Sequence, residues 1–209
     1  MSVICPTITA FDPHEYRAQI EQIEAFAKRI HIDLMDGDFA PSISPDLSSI
    51  WWPDNLLADI HLMYRQPEKQ IEQLQKLKPN LVVVHYEADL NHTRFVEALH
   101  DSGIKAGIAI LQETTIDEAI ETINIYDHVL VFSGNLGYHG GELNQKLLGK
   151  VATIKQALPD IEIAWDGGIN AENARQLVDG GVDVLNVGGF IQKSGDPLEA
   201  YMQIESSLK

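Results

Sequence analysis

The sequence predicts an α/β fold, a single (β/α)8 TIM barrel that spans residues 1–209. Short runs rich in Val, Ile and Leu alternate with longer amphipathic stretches, as in a parallel sheet with helical crossovers. The runs are mostly continuously apolar, as expected for parallel strands that are covered on both faces. Eight such rounds in 209 residues fit a small barrel of this class, which needs about 200 residues.

The predicted strands follow one another along the whole chain. They cover Val3–Thr7, Ile30–Leu34, Leu57–Met63, Leu81–His85, Ile104–Leu111, His128–Phe132, Ile161–Trp165 and Val182–Val187. A doubly wound open sheet is the alternative arrangement of the same elements. The barrel is favoured because no G-x-G-x-x-G motif follows the first run.

Helix start signals lie between these strands. Proline at a first-turn position marks three of them, Asp12-Pro13, Gln66-Pro67-Glu68 and Asp196-Pro197. Thr114-Thr115 precedes acidic residues of another first turn, and a capped helix is predicted from Asn170 to Gly180-Gly181. The crossover at residues 36–56 is rich in proline and tryptophan, so we expect an irregular loop with a short helix.

Composition restricts the partners. The chain has 31 acidic and 15 basic residues, a formal net charge of −16, which argues against nucleic acid and anionic membrane surfaces. Its single cysteine, Cys5, excludes an internal disulfide framework and a multi-cysteine zinc site. No secretory signal or stretch of about 18 apolar residues is found, so the expected location is cytoplasmic.

Histidine and aspartate side chains collect at predicted strand ends, where (β/α)8 barrels place their functional residues. His31 and Asp33 are two residues apart and share one face of a strand, and His61, His85 and Asp166 lie at or beside the ends of three others. Each alone is more often structural, but burying several ionisable groups together is costly without a compensating metal or substrate. Two imidazoles with two carboxylates suit a divalent metal ion such as Zn, Fe, Mn or Co.

Glycine pairs follow three adjacent strands, namely Gly140-Gly141, Gly167-Gly168 and Gly188-Gly189. Glycine lets backbone N–H groups approach a ligand, and loops at this end of such barrels often bind phosphate. The alternative is that these glycines only allow tight turns. A single glycine pair would be weak evidence for phosphate binding, whereas three pairs at adjacent strand ends favour it. Met35 and Met63, each two residues beyond a predicted ligand, are either core residues or an apolar lining of the substrate pocket.

Four strings of this sequence resemble the ribulose-phosphate 3-epimerase family in order and spacing. They are His31-Ile-Asp-Leu-Met-Asp-Gly-Asp-Phe-Ala-Pro, Asp59-Ile-His-Leu-Met, Val84-His85 and Trp165-Asp-Gly-Gly-Ile. The resemblance extends from Cys5-Pro6-Thr7-Ile8 to Gly188-Gly189, nearly the whole chain. It implies a barrel of the ribulose-phosphate-binding type.

The resemblance also implies a site and a reaction. One divalent metal ion would be held by His31, Asp33, His61 and Asp166, and Asp33 and Asp166 would also be the catalytic acid/base pair. The reaction would be epimerisation at C3 of a small phosphorylated ketose, D-ribulose 5-phosphate to D-xylulose 5-phosphate. Removing a proton on one face and replacing it on the other requires two bases and an electrophile for the enediolate oxygen.

Several positions depart from the family pattern, and they fall around the substrate rather than at the metal. They are Thr7 for serine, Phe132 for methionine, Leu136 for proline, an inserted His139, Glu142 for glutamine and Gly189 for serine. Thr7 keeps a hydroxyl for substrate binding, and His85 is predicted to line the pocket. The alternatives are therefore another ketose phosphate such as a ketohexose 6-phosphate, a metal-free relative of phosphoribosylanthranilate isomerase, or a non-catalytic sugar-phosphate-binding paralogue.

Association into a homo-oligomer is a further expectation, since family members commonly associate. The Trp51-Trp52-Pro53 segment is the candidate contact surface, and core packing beneath the barrel rim is the alternative for it.

Overall fold

The computed structural model describes residues 2–138 and 140–209. In this part of the chain, eight parallel strands close into a barrel in chain order, which confirms the predicted fold class. The strands are β1 Val3–Thr9, β2 Arg29–Met35, β3 Leu57–Met63, β4 Leu81–His85, β5 Lys105–Ile110, β6 His128–Phe132, β7 Glu162–Asp166 and β8 Val184–Val187. His139, the residue inserted relative to the family pattern, lies outside the described residues.

Helices fill the crossovers between strands. They are α1 Pro13–Ile23, α2 Ile71–Leu77, α3 His92–His100, α4 Ile116–Ile123, α5 Leu148–Ala157, α6 Ala174–Asp179, α7 Gly189–Gln192 and α8 Pro197–Ser207. Further 3-10 turns span Leu47–Ser49, Pro67–Gln70 and Gln145–Leu147. Of the helices in the described part of the chain, none has the length and apolar character that a bilayer crossing needs.

The helix start signals act largely as predicted, with one correction. The Asp12 side chain accepts hydrogen bonds from two backbone N–H groups of the first turn of α1, and Thr115 forms a complete capping box at α4. The helix predicted from Asn170 begins only at Ala174. The reason is that the Asn170 side chain accepts from the backbone N–H groups of Glu172 and Asn173 and holds the segment in a turn.

The crossover between β2 and β3 is irregular, with one short 3-10 helix at Leu47–Ser49, as predicted. Trp52 packs against the core, whereas Trp51 is 38% exposed. The Trp51 ring lies edge-on to Tyr16 and beneath the Arg17 guanidinium, 5.4 Å from ring centroid to guanidinium carbon. Trp52 is therefore consistent with core packing, and the exposed Trp51 is consistent with a contact surface. Association into a homo-oligomer stays a prediction.

A small apolar layer occupies the middle of the barrel interior. Its buried members are Cys5, Leu81, Val83, Ala109, Leu130, Ala164 and Val184. These residues alternate along their strands with the residues that pack against the helices. The layer separates polar groups at the two ends of the barrel.

The end of the barrel at the strand N-termini is closed by ion pairs. The Arg29 guanidinium donates to Asp59 at 2.5 Å and to both carboxylate oxygens of Glu162 at 2.9 Å. His128 Nδ1 lies 2.7 Å from the same Glu162 carboxylate. Burial would raise the pKa of Glu162, but the hydrogen bonds from His128 and Arg29 outweigh it and hold that pKa well below its usual range.

We expect Arg29→Met to lower the free energy of unfolding by about 3–5 kcal/mol, because it leaves the buried Asp59 carboxylate without its cation. Urea unfolding followed by far-UV circular dichroism measures the change. The matched control is Arg175→Met, which removes an ion pair with Asp179 whose side chains are more than half exposed. That substitution should cost about 0–1 kcal/mol, and equal losses in both variants would contradict the role assigned to Arg29.

Candidate metal and substrate site

The opposite end of the barrel, at the strand C-termini, holds the predicted site residues. Strand register brings them to one level: Asp33 of β2 is paired with Thr9 of β1 and His61 of β3. Asp166 of β7 is paired in the same way with Asn186 of β8. Side chains two residues apart on a strand share a face, so His31 lies one layer below Asp33 inside the barrel.

The four predicted metal ligands converge. His31, Asp33, His61 and Asp166 are all buried, and one potential ligand atom from each lies within 4.8 Å of those of the others. His61 Nδ1 is 3.0 Å from Asp33 Oδ1, and His31 Nε2 is 3.4 Å from that oxygen and 4.0 Å from Asp166 Oδ2. This cluster could hold a metal ion, as expected from the sequence.

One atom of the cluster tests that fit directly. His31 Nε2 is buried and has no hydrogen-bond partner among the described residues, although carboxylate oxygens of Asp33 and Asp166 surround it. An unpartnered buried nitrogen facing two carboxylates is the arrangement that a bound cation satisfies. The donor set of two imidazoles and two carboxylates suits a divalent transition metal.

The two carboxylates have opposite pKa shifts. Burial would raise the pKa of Asp33, but the His31 and His61 imidazoles beside it outweigh burial and lower that pKa far below its usual range. Burial and then the nearby charge of Asp33 raise the pKa of Asp166 to about 7. At neutral pH one member of the pair is therefore ionised and the other is poised to exchange a proton.

The imidazoles differ as well. Burial lowers the pKa of His61 to about 3, despite the adjacent Asp33, so this ring is neutral at pH 7 and has a lone pair for a ligand. For His31, the adjacent Asp33 carboxylate outweighs burial, and the pKa of this imidazole is raised.

Two polar residues of this layer were not predicted from the sequence. Thr9 Oγ1 donates to Asp33 Oδ2 at 2.7 Å, and the Asn186 amide lies 3.1 Å from His31 Nδ1. Thr9 was missed because the predicted first strand ended at Thr7. Asn186 gave a usable signal, since it is a polar residue inside the apolar string Val184-Leu185-Asn186-Val187.

The Asn186 amide bears on which nitrogen of His31 can bind a metal. Its nitrogen Nδ2 lies toward His31 Nδ1; with the two ends of the amide exchanged, Oδ1 would instead accept from His31 Nδ1–H. In that orientation the neutral imidazole carries its proton on Nδ1 and has a lone pair on Nε2. Asn186 is therefore suited to orient this imidazole for metal binding.

A cavity of about 300 Å³ opens above these groups. The residues that line it include Asp33, Asp166, Met63, Phe132, Thr7 and Asn186. The three predicted glycine pairs all line the same cavity: Gly140-Gly141, Gly167-Gly168 and Gly188-Gly189. The predicted catalytic carboxylates and all three glycine pairs thus line one cavity, and their binding of substrate or phosphate stays a prediction.

The glycines after β7 are required by close backbone packing. Gly167 and Gly168 have φ angles of +108° and +75°, which side-chain-bearing residues rarely adopt. A Cβ at Gly167 would lie 2.2 Å from Gly134 N, and one at Gly168 would lie 2.3 Å from Leu143 N. The two loops therefore touch through backbone atoms at the cavity wall.

Two of the three predicted pocket-lining residues lie behind the surface. Met63 lines the cavity, whereas Met35 and His85 are not among the described residues that line it. Met35 is 1% exposed and packs with Met63, Phe39 and Ala40 in a small apolar cluster. His85 is fully buried, with its Nε2 2.9 Å from His61 Nε2, so its neighbour is a predicted ligand.

A family model described as the ribulose-phosphate 3 epimerase family matches residues 3–191. The chain belongs to this family. Among its relatives, the ribulose-phosphate 3-epimerase of Aquifex aeolicus (strain VF5) is 31% identical over 216 residues, covering 100% of this chain and 97% of that protein. The enzyme of the same name from Bacillus subtilis (strain 168) is 28% identical over 216 residues, covering 99% and 100% respectively.

Solved structures extend the likeness in fold. A crystal structure of 3-hexulose-6-phosphate synthase superimposes with a TM-score of 0.78 over 99% of this chain and 100% of the other. Its sequence identity is 16%, so the likeness shows the barrel fold and nothing finer. Family membership, by contrast, agrees with the resemblance seen in the sequence motifs.

The raised pKa of Asp166 predicts a pH-dependent cost to stability in metal-free protein. An aspartate has an unfolded pKa of about 3.9, so the folded state binds the extra proton between about pH 4 and 7. The stabilisation that this bound proton gives to the folded state is complete below about pH 4. It decreases as the pH rises and is lost above about pH 7. Asp166→Asn cannot ionise, so its stability relative to wild type should increase by up to about 1.4 kcal/mol per pH unit over that range.

Urea unfolding of chelator-treated proteins at pH 5 and pH 8 measures this difference. Asp38→Asn, an exposed carboxylate on the crossover after β2, is the control and should show the same difference from wild type at both pH values. A similarly constant difference for Asp166→Asn would contradict the assigned pKa.

Proposed function

We propose that this protein is a metal-dependent 3-epimerase of a phosphorylated ketose, interconverting D-ribulose 5-phosphate and D-xylulose 5-phosphate. The observation that carries the proposal is the pair Asp33 and Asp166, which face one cavity from strands separated by β1 and β8. Family membership and the relatives named ribulose-phosphate 3-epimerase support the same reaction.

The two carboxylates divide the work because they line the cavity from different strands. Asp33 removes the proton from C3 on one face, and the electron pair of the broken C–H bond moves into an enediolate. Asp166 gives a proton to C3 from the other face, and proton exchange with solvent returns both carboxylates to their starting state. The product has the opposite configuration, and the reverse reaction exchanges the two roles.

The remaining groups prepare the site for this transfer. A divalent metal ion held by His31, Asp33, His61 and Asp166 would supply positive charge to stabilise the enediolate oxygens. Thr9 orients Asp33 through its hydroxyl, and Met63 and Phe132 give the cavity an apolar wall that limits water. The Thr7 hydroxyl, unpartnered among the described residues, is buried at the cavity and is available to a substrate oxygen.

The phosphate would occupy the part of the cavity lined by Gly167-Gly168 and Gly188-Gly189, where backbone groups can approach closely. A ketohexose 6-phosphate is the second candidate substrate. It is favoured by Gly189, where an added Cβ would meet no described atom within 4 Å, so this part of the rim has room for a longer chain.

We expect Asp33→Asn and Asp166→Asn each to reduce turnover by about 10²–10⁴-fold or more, because each removes one of the two proton-transfer groups. Epimerisation of D-ribulose 5-phosphate is measured with metal content determined on the same samples. Exposed Asp38→Asn, with wild-type turnover expected, is the control. Retained turnover in both variants at wild-type metal content would refute the acid/base assignment.

A substrate panel tests the choice of ketose. Ribulose 5-phosphate and ketohexose 6-phosphates are supplied to the metal-loaded protein in D2O, and both epimer formation and deuterium at C3 are followed. The highest kcat/KM is expected for ribulose 5-phosphate. Binding without deuterium incorporation for every substrate would identify a non-catalytic sugar-phosphate-binding protein instead.

The phosphate position predicts the effect of an added charge. Gly189→Asp places a carboxylate where no described atom would clash with its Cβ, and it should raise KM for the phosphorylated ketose at least about tenfold by repulsion. Gly149→Asp is the matched control, because Gly149 is exposed on α5 and also has open space around it. Equal KM values in the two variants would place the phosphate elsewhere.

A further inference from the structure

A line of buried polar groups runs from His61 away from the cavity. His61 Nε2 lies 2.9 Å from His85 Nε2, and His85 Nδ1 lies 3.6 Å from Glu87 Oε2. Both imidazole rings are completely buried. Neither His85 Nδ1 nor Glu87 Oε2 has a hydrogen-bond partner among the described residues, and the two atoms face each other across this short gap.

The far end of this line is fixed in orientation. Glu87 Oε1 accepts from the Leu111 backbone N–H at 3.1 Å and from the Thr114 hydroxyl. The loop that supplies both donors is itself held, since Lys150 Nζ donates to the backbone oxygens of Leu111 and Thr114. Both donors point at Oε1, which leaves Oε2 as a pure acceptor facing His85.

These contacts determine where the protons lie. Because Glu87 Oε2 can only accept, neutral His85 carries its proton on Nδ1 and presents a lone pair at Nε2. That lone pair requires a donor, so neutral His61 carries its proton on Nε2. Nδ1 of His61, which faces Asp33 and the predicted metal position, is then left unprotonated.

We propose that His85 and Glu87 are positioning residues that fix the tautomer of His61 so that its Nδ1 lone pair is directed to the metal. The proposal rests on the proposed metal site and assigns to it a specific supporting chain. Groups that hold the second nitrogen of a ligating histidine commonly set its orientation and basicity.

Glu87→Gln is the most informative variant because it changes the side-chain shape little. It reverses the donor and acceptor roles along the line of hydrogen bonds from residue 87 through His85 to His61. The introduced side-chain amide must keep its carbonyl oxygen toward the donors on Leu111 and Thr114, so its NH2 group faces His85 Nδ1. His85 must then accept at Nδ1 and donate from Nε2. His61 is driven to protonate Nδ1, the nitrogen that the metal requires.

Two substitutions of His85 separate polarity from packing. His85→Gln retains an oxygen that can accept from His61 Nε2–H and an NH2 group for Glu87. His85→Leu fills similar space but offers no acceptor. His128→Gln is the matched control, since His128 is similarly buried, also contacts a glutamate and lies at the other end of the barrel.

The probe is Zn²⁺, with its dissociation constant measured by competition with a chelator and folding checked by thermal unfolding. We expect Glu87→Gln and His85→Leu to weaken Zn²⁺ binding by about 10–100-fold. His85→Gln should lose less, and His128→Gln should bind Zn²⁺ as wild type does. Independently, ¹⁵N NMR of the Zn²⁺-loaded wild type should show protonated Nε2 on His61 and protonated Nδ1 on His85.

Failure of this proposal is distinguishable from failure of the metal site. Suppose that wild type binds Zn²⁺ and the variants lose thermal stability without losing Zn²⁺ affinity. His85 and Glu87 then have a structural role only, and the positioning role is overturned. The opposite tautomers in the loaded protein would overturn it as well. If wild type binds no Zn²⁺, the metal-dependent proposal fails and the positioning role fails with it.

Discussion

Repulsion between two buried carboxylates is the constraint around which this barrel end is organised. Asp33 and Asp166 lie within one cluster of polar atoms spanning no more than 4.8 Å, where water cannot screen them. In the metal-free protein burial and then the charge of Asp33 raise the pKa of Asp166 to about 7, and the pKa of His31 is raised as well. A divalent cation held by the same residues would offset the repulsion between the carboxylates with positive charge.

The rest of the fold isolates this pair. An apolar layer fills the middle of the barrel between the ion pairs of Arg29 at the opposite end and the site. The neutral His61 ring lies between Asp33 and His85, and the glycine loops close the cavity through backbone contacts. Charged residues are thereby placed at both ends of the barrel interior. The ion pairs at the strand N-termini stabilise the fold, and the cluster at the strand C-termini forms the proposed site.

Much of this was accessible from the sequence because a parallel barrel turns sequence position into spatial position. Once eight strands are recognised, every strand end lies on one rim, so His31, His61 and Asp166 must meet. What could not be predicted depends on side-chain contacts across strands. The sequence does not reveal that His85 turns away from the cavity to meet His61, or that Thr9 reaches Asp33, because both require the actual register and rotamers. Asn186 is intermediate, since its polarity within β8 is visible but its partner is not.

The net charge of −16 looks unfavourable for binding a phosphorylated substrate. However, charges on the protein exterior and charges at the cavity act over different distances. Charges on the outer helices are screened by salt over about 10 Å, and they oppose extended polyanions that contact a broad surface. In the proposed function, a single phosphate at the cavity rim would meet the backbone of the glycine loops and the positive charge of a metal ion held by the four proposed ligands. Binding of a small ester would then depend on local charge at the barrel end, and the acidic exterior would bear mainly on solubility.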